Sequence, residues 1–176
     1  MSKKREQLLE RSERLFETNG FHAVGIKQLI KEADVSLMTL YNHFDSKEQL
    51  ILAILQRREI RYMQLLKQSF LDENVDALAI LETHSSWIKK NGANGCMFLR
   101  AKEEFSAGVS ENEEIATFAT QHKQRLVTLF NEQGFAKREA LRLVLILEGA
   151  TAMAEVFDLD DVVEETQLSV KALFSS

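Results

Sequence analysis

Proline is absent from the 176 residues, glycine appears seven times and cysteine once. Without proline, and with little glycine, few positions interrupt a helix, so collagen-like, proline-rich and low-complexity classes are excluded. One cysteine excludes an intramolecular disulfide and a cysteine zinc cluster, and suits a reducing compartment. Long hydrophobic runs are missing too. The most apolar stretch, "LVLILEGATAMAEVF" (143 to 157), is too short to span a bilayer and carries Glu148 and Glu155. The opening "MSKKREQLLERSERLF" has alternating charge and no apolar signal segment. A soluble cytoplasmic protein with no membrane partner is expected. Catalytic signatures are lacking as well: no paired carboxylates in a plausible cleft, no Ser/His/Asp or Cys/His signature, and a "GANG" too short for a phosphate loop. His84, His122 and Cys96 match no metal-ligand spacing. The expectation is a protein that is not an enzyme and holds neither metal nor cofactor.

What is present is helical periodicity, with hydrophobic residues at 45% of positions. Net charge is −5, but it is unevenly spread: residues 1 to 48 hold eight Lys/Arg and eight Asp/Glu, leaving the whole deficit to the remainder. A neutral head with basic clusters on an acidic body suits a protein that meets a polyanion with its head alone.

About nine helices are expected, an all-α fold. The first runs from about 4 to 19 and stops at Gly20, a residue suited to a left-handed helix end. Ile26, Leu29, Ile30 and Ala33 form the amphipathic stripe of a second, short helix. Ser36 caps a third, and Ser46 with Gln49 forms a capping box for a fourth that extends to about 70. Later helices span about 75 to 91, 97 to 107, 110 to 134 (with a Ser110/Glu113 capping box), 137 to 157 and 160 to 174. The expected division is a helix-turn-helix head over 1–48 and a helical body for ligand binding and dimerisation over 49–176, the helix at about 47–70 linking them.

Two short helices joined by a four-residue turn, behind a longer one, are the helix-turn-helix arrangement, whose second helix lies in the DNA major groove. At about 100° per residue, Leu40 and Phe44 share the inward face of "VSLMTLYNHF". Met38 and Asn42 point the opposite way, flanked by Thr39, Tyr41 and His43, with Leu37 between the two faces.

The stretch "GFHAVGIKQLIKEADVSLMTLYNHFDSKEQL" (20 to 50), above all its "LYNHF…SKEQL" ending, closely resembles the DNA-binding head of TetR-family transcriptional repressors. About 50 residues carry this match, and the helix count over the remainder agrees with it. The resemblance implies that Thr39, Tyr41, His43 and Lys47 face the DNA backbone, Tyr41 also reaching a base edge. Hydroxyl, phenol, imidazole and ammonium groups all donate to phosphate oxygens, and Lys47 lies in the first turn of its helix. The alternatives are that Tyr41 and His43 pack within the head and that Lys47 is a solvated charge. Lys3, Lys4 and Arg5 read either as a disordered basic arm or as a solvated tail.

Three departures from the family pattern follow. Gly25 replaces a Ser or Thr cap, Asp34 stands where glycine is commoner, and Leu37 and Met38 replace more polar residues. Leu37 and Met38 cannot make bidentate purine contacts, leaving Asn42, Gln28 and Lys27 as polar readers. An operator AT-leaning at its half-site centres is therefore expected.

In the body, the helix over 137 to 157 is apolar on nearly every face and requires both a core and a partner surface. With the final helix it implies, as the resemblance does, a homodimer built on Leu143, Leu147, Ala150, Met153, Leu168 and Leu173, presenting two heads to a pseudo-palindromic double-stranded operator. The resemblance also implies a pocket for a small-molecule effector. Trp87, Phe98, Phe105, Phe118 and Phe130 either line it or are plain core, and His84 and His122 either touch a ligand or are satisfied buried histidines. Cys96, in "NGANGCMFLRAKEEF", is similar to the "GC" segment of relatives that sense electrophiles or oxidants. It is either such a sensor, with Arg100 and Lys102 nearby, or a small buried hydrophobe. The functional expectation is a cytoplasmic, nucleoid-associated, ligand- or redox-responsive dimeric repressor. The alternative is a helical small-molecule-binding or adaptor protein without specific DNA binding.

Overall fold

The computed structural model describes residues 2–70, 76–106 and 113–174, and among them the secondary structure is entirely helical. The elements are α1 (Lys3–Asn19), α2 (Ile26–Glu32), α3 (Leu37–Tyr41), α4 (Lys47–Gln68), α5 (Ala77–Asn91), α6 (Met97–Glu104), α7 (Glu113–Glu132), α8 (Lys137–Met153) and α9 (Leu159–Phe174). These are the helices expected, with ends moved by a few residues; Ser110 of the expected capping box lies outside the described residues. The helix read as reaching 157 stops at Met153 and continues as a turn through Phe157.

The chain forms two compact units, Met1–Arg58 with Met97–Thr120, and Glu59–Cys96 with Gln121–Ser176. Both α4 and α7 contribute residues to each. The first unit therefore holds more than residues 1–48: it takes in the start of α4 and all of α6. The reason is chemical. The Glu104 carboxylate accepts from the backbone N–H groups of Phe21 at 3.0 Å and His22 at 2.6 Å. Arg100 donates to the last carbonyls of α1, Phe16 at 3.3 Å and Glu17 at 2.7 Å. So α6 satisfies backbone groups that the end of α1 leaves open. Gly20 turns this corner at φ 82°, and a Cβ there would meet Glu104 Oε1 at 2.9 Å. Phe105 follows, packing edge-on against Phe21, itself stacked on Phe16.

Within the first unit Leu8, Phe16, Leu29, Leu40, Leu50 and Ile54 are wholly buried. Arg58 is buried with them and pairs with Glu13 at 2.9 Å and Glu17 at 2.6 Å. Arg57 beside it pairs with Glu6. The second unit packs α5, α8 and α9 together with the later parts of α4 and α7. Leu66, Ile80, Leu81, Phe130, Leu143 and Leu147 lie in its core.

Candidate nucleic-acid interface and sensing cluster

Gly25 begins α2 in extended geometry with no side-chain cap, as its lack of a hydroxyl requires. Asp34 makes the turn to α3 at φ 49°, the left-handed conformation that a short polar side chain tolerates. Ser36 Oγ then accepts from Thr39 N–H at 3.1 Å and lies 2.8 Å from the Thr39 hydroxyl, capping α3.

This frame settles which side chains of α3 point where. Leu40 and Phe44 are buried, at 0% and 5% exposure, whereas Met38 is 74% exposed and Leu37 and Tyr41 are each 48% exposed. Asn42 is exposed and Thr39 half-buried. Lys27 and Gln28 lie exposed on α2. His43 is half-buried, its Nε2 3.5 Å from Ser2 Oγ. Lys47 is also half-buried. Its ammonium lies 6.0 Å from the Phe16 ring, and burial lowers its pKa while Glu48 and Glu104 partly offset that.

The basic start of the chain is not a disordered arm. Lys3 opens α1, Lys4 Nζ donates to Asp34 O at 3.2 Å, and the Arg5 guanidinium sits 5.0 Å from the Phe44 ring. Those anchors give the segment enough contacts to continue the helix.

The residues read as a possible pocket are divided between the two units, with Phe130 in the core of the second. Phe98, Phe105 and Phe118 belong to the first unit, and Phe105 belongs to the aromatic packing around Phe21. Trp87, Cys96 and His122 belong to the second unit, in a polar cluster with His84, whose other members (Tyr62, Glu59, Lys123, Arg125 and Thr151) the sequence did not announce. Tyr62 O–H donates to His84 Nδ1 at 2.7 Å, because His84 Nε2–H is committed to Leu147 O at 3.0 Å and Thr151 Oγ1 at 2.9 Å. Burial pushes His84 down to about 4, so it is neutral, and pushes Tyr62 well above its ordinary value, with Glu148 and Cys96 adding to it. Trp87 stacks at a tilt on Tyr62, 5.2 Å between centroids.

Cys96 is half-buried, and its partner is Lys123, whose Nζ donates to Sγ at 3.2 Å and also pairs with Glu148. Burial would lower the Lys123 pKa, but Cys96 and Glu148 together raise it. Arg100, expected to act on the thiol, instead spends its guanidinium on the carbonyls of α1. His122 Nδ1 donates to Glu59 at 2.8 Å, and Arg125 holds the same carboxylate oxygen at 2.8 Å. Burial lowers the His122 pKa against that bond. In Glu59, burial acts upward but the bonds from His122 and Arg125 bring the pKa below its usual value. A further sequence signal for this cluster was Glu148, an acid inside an apolar run, which requires a buried partner.

Of the residues expected at a dimer interface, Leu143, Leu147 and Ala150 are buried in the chain's own second unit at 0%, 2% and 6% exposure, so they are not a free surface. Met153, Leu168 and Leu173 are exposed, as are Leu141, Leu145, Val156 and Phe157. Among the described residues no three His, Cys, Asp or Glu side chains form a metal-binding group, and no helix is long and apolar enough to cross a membrane.

The family model for bacterial regulatory proteins of the tetR family matches residues 8–54, which cover α1 to the first part of α4. The HTH-type transcriptional regulator UidR of Escherichia coli K12 is 33% identical over 88 residues, 47% of this chain and 44% of UidR. The HTH-type transcriptional repressor NemR of the same strain is 38% identical over 64 residues, 36% of this chain and 32% of NemR. These matches thus span less than half the length of the curated relatives. The fold match is wider. SCO4454, a TetR-family transcriptional regulator from Streptomyces coelicolor, superposes with a TM-score of 0.83 at 26% identity, covering 96% of this chain and 93% of that one. The reduced form of E. coli NemR has the same fold, with a TM-score of 0.80 at 21% identity over 98% and 97% of the two chains. The head thus matches the tetR family in sequence over residues 8–54, and the fold of the described residues is that of a TetR-family transcriptional regulator along nearly the whole chain.

Proposed function

We propose that this protein is a DNA-binding transcriptional repressor, acting as a homodimer on a pseudo-palindromic operator and released by an effector that acts on the polar cluster of the second unit. The observation that carries the reading is the outer face of α3. Met38, Tyr41 and Leu37 stand exposed beside Asn42 on a rigidly capped helix whose inner face is core. Exposed apolar side chains of this kind suit thymine methyl groups, and Tyr41 and Asn42 add donors for base edges and phosphates. Lys47 and His43, both half-buried at the flank, are placed to add backbone contacts.

Selection from a random duplex pool tests this reading. The expected result is enrichment of paired half-sites about one helical turn apart, AT-leaning at their centres. Enrichment of nothing would favour the helical adaptor alternative, and centres uniformly rich in G/C would remove the apolar-readout argument.

Cys96 is the proposed sensing residue. Addition of Sγ across an electrophilic alkene such as a maleimide forms a carbon–sulfur bond at the expense of the alkene π bond, the thiol proton passing to the adjacent carbon. The added group displaces the Lys123 ammonium from Sγ, leaving it with Glu148. That repacks the body around α7 and α8. The repressor name of NemR, and its structure in a reduced form, are facts about that protein that accord with this reading. If Cys96→Ser kept the full release of DNA by N-ethylmaleimide, the thiol would not be the sensor.

A further inference from the structure

The basic side chains of the first unit sort into two groups by what they touch. Arg11 pairs with Glu32, Arg14 with Glu10, Arg57 with Glu6, and Arg58 with Glu13 and Glu17. Arg14 with Glu10 pairs along α1 itself, while the others hold one helix to another. Lys27 and Lys31 have no ion-pair or hydrogen-bond partner among the described residues, and Lys4 reaches a backbone carbonyl, that of Asp34, and no carboxylate. The three are not scattered. With Asp34, Ser36 and Thr39 they line one open groove of about 590 Å³ between the start of α1, the outer side of α2 and the cap of α3.

Lys27 and Lys31 lie four residues apart on α2, adjacent on one helix face, so their like charges repel and an anion between them relieves the repulsion. Asp34 contributes the groove's one carboxylate, and its carbonyl fixes Lys4 at the rim. The groove is continuous with the proposed DNA-facing surface through Thr39 and Lys27. Gly25, at the other end of α2, offers no side-chain donor. We propose that this groove seats a phosphate of the operator backbone, held by Lys4, Lys27 and Lys31, as a contact additional to those of α3 and Lys47. The proposal rests on the DNA-binding reading above and adds to it a second, sequence-blind anchor on the α1–α2 side of the head.

Counterion release makes it testable. Each phosphate neutralised contributes about 0.9 to the slope of log Kobs against log [salt] on duplex DNA. The experiment measures that slope for the full-length protein on its selected operator and on a scrambled duplex, for wild type, Lys31→Gln, Lys27→Gln/Lys31→Gln and Lys31→Arg. Lys67→Gln, on the exposed last turn of α4, is the control. The expected result is a slope shallower by up to about 0.9 per head in the glutamine variants, with affinity falling by the same factor on both duplexes. Lys31→Arg and Lys67→Gln should keep the wild-type slope. An unchanged slope in Lys27→Gln/Lys31→Gln, with wild type binding normally, would overturn the groove and leave the DNA-binding reading intact. Loss confined to the operator would also overturn it, since the lysines would then be reading bases. A wild type that binds neither duplex would take down the DNA-binding reading and the groove with it.

Discussion

Asp34 and Arg58 show how single side chains set the head. Asp34 holds φ at 49°, and no hydrogen bond compensates its side chain. Asp34→Ala should lower stability by about 1 kcal/mol, because the Cβ strain of the left-handed region stays while the short polar side chain that eases it is lost. Asp34→Gly should be near neutral, its conformational ease offset by a more flexible unfolded chain. Urea unfolding of the two variants checks this, and equal losses would contradict it. Arg58 stands between Glu13 and Glu17 with side-chain exposures of 8%, 6% and 12%. Arg58→Ala removes the cation that both carboxylates share, leaving Glu13 the longer pair with Arg57 at 3.9 Å, and should cost about 3 kcal/mol. Thermal melting would show it. Asp34 was readable from sequence, standing in glycine's usual place in the turn, but nothing marked Arg58 as interior, since its partners lie more than forty residues away.

Among the elements, α3 was the most legible. Its inner and outer faces follow from helical periodicity alone, and the burial of Leu40 and Phe44 against the exposure of Met38 agrees with that. By contrast, the attachment of α6 to the head was not legible. It depends on Glu104 and Arg100 meeting backbone N–H and C=O groups, which carry no residue pattern. Hydrogen bonds across α4, α5 and α8 were hidden for a similar reason, since Tyr62 and His84 look like ordinary helix residues until folding joins them. That network has a pH consequence. The folded-state pKa of His84, about 4, lies below its ordinary value of 6.5, so folding favours the neutral ring. Its stabilisation is complete above about pH 6.5 and is lost as pH falls towards 4, at up to about 1.4 kcal/mol per pH unit. His122, lowered for the same reason of burial, acts in the same direction. Unfolding free energies at pH 7.5, 6.0 and 5.0 should therefore fall steeply for wild type and less steeply for His84→Gln. Parallel curves would contradict the assignment.

At the scale of the whole molecule, Leu141, Leu145, Met153 and Val156 on α8 and its turn, with Leu168 and Leu173 on α9, are exposed, and the proposed homodimer would cover them. Of the six residues read from the sequence as interface, Met153, Leu168 and Leu173 are exposed and Leu143, Leu147 and Ala150 are covered by the chain's own second unit, because a helix apolar all round does not say which side its own body covers. Leu145→Glu should give a folded monomer by analytical ultracentrifugation and weaken operator binding by about 100-fold or more, as the two heads cease to act together. A persistent dimer would move the interface elsewhere. Pairing matters because a single α3, five residues long with few polar readers, makes few contacts.

The most direct test of the account is fluorescence anisotropy of the full-length protein on its selected operator at two salt concentrations, with wild type and Tyr41→Ala compared. Tyr41 is half exposed on the outer face of α3, so its loss should leave the fold intact. The account predicts tight wild-type binding that weakens as salt rises, and a loss of about 10-fold or more in Tyr41→Ala. Equal affinity for the two proteins, or binding indifferent to salt, would contradict the claim that this face of α3 meets DNA.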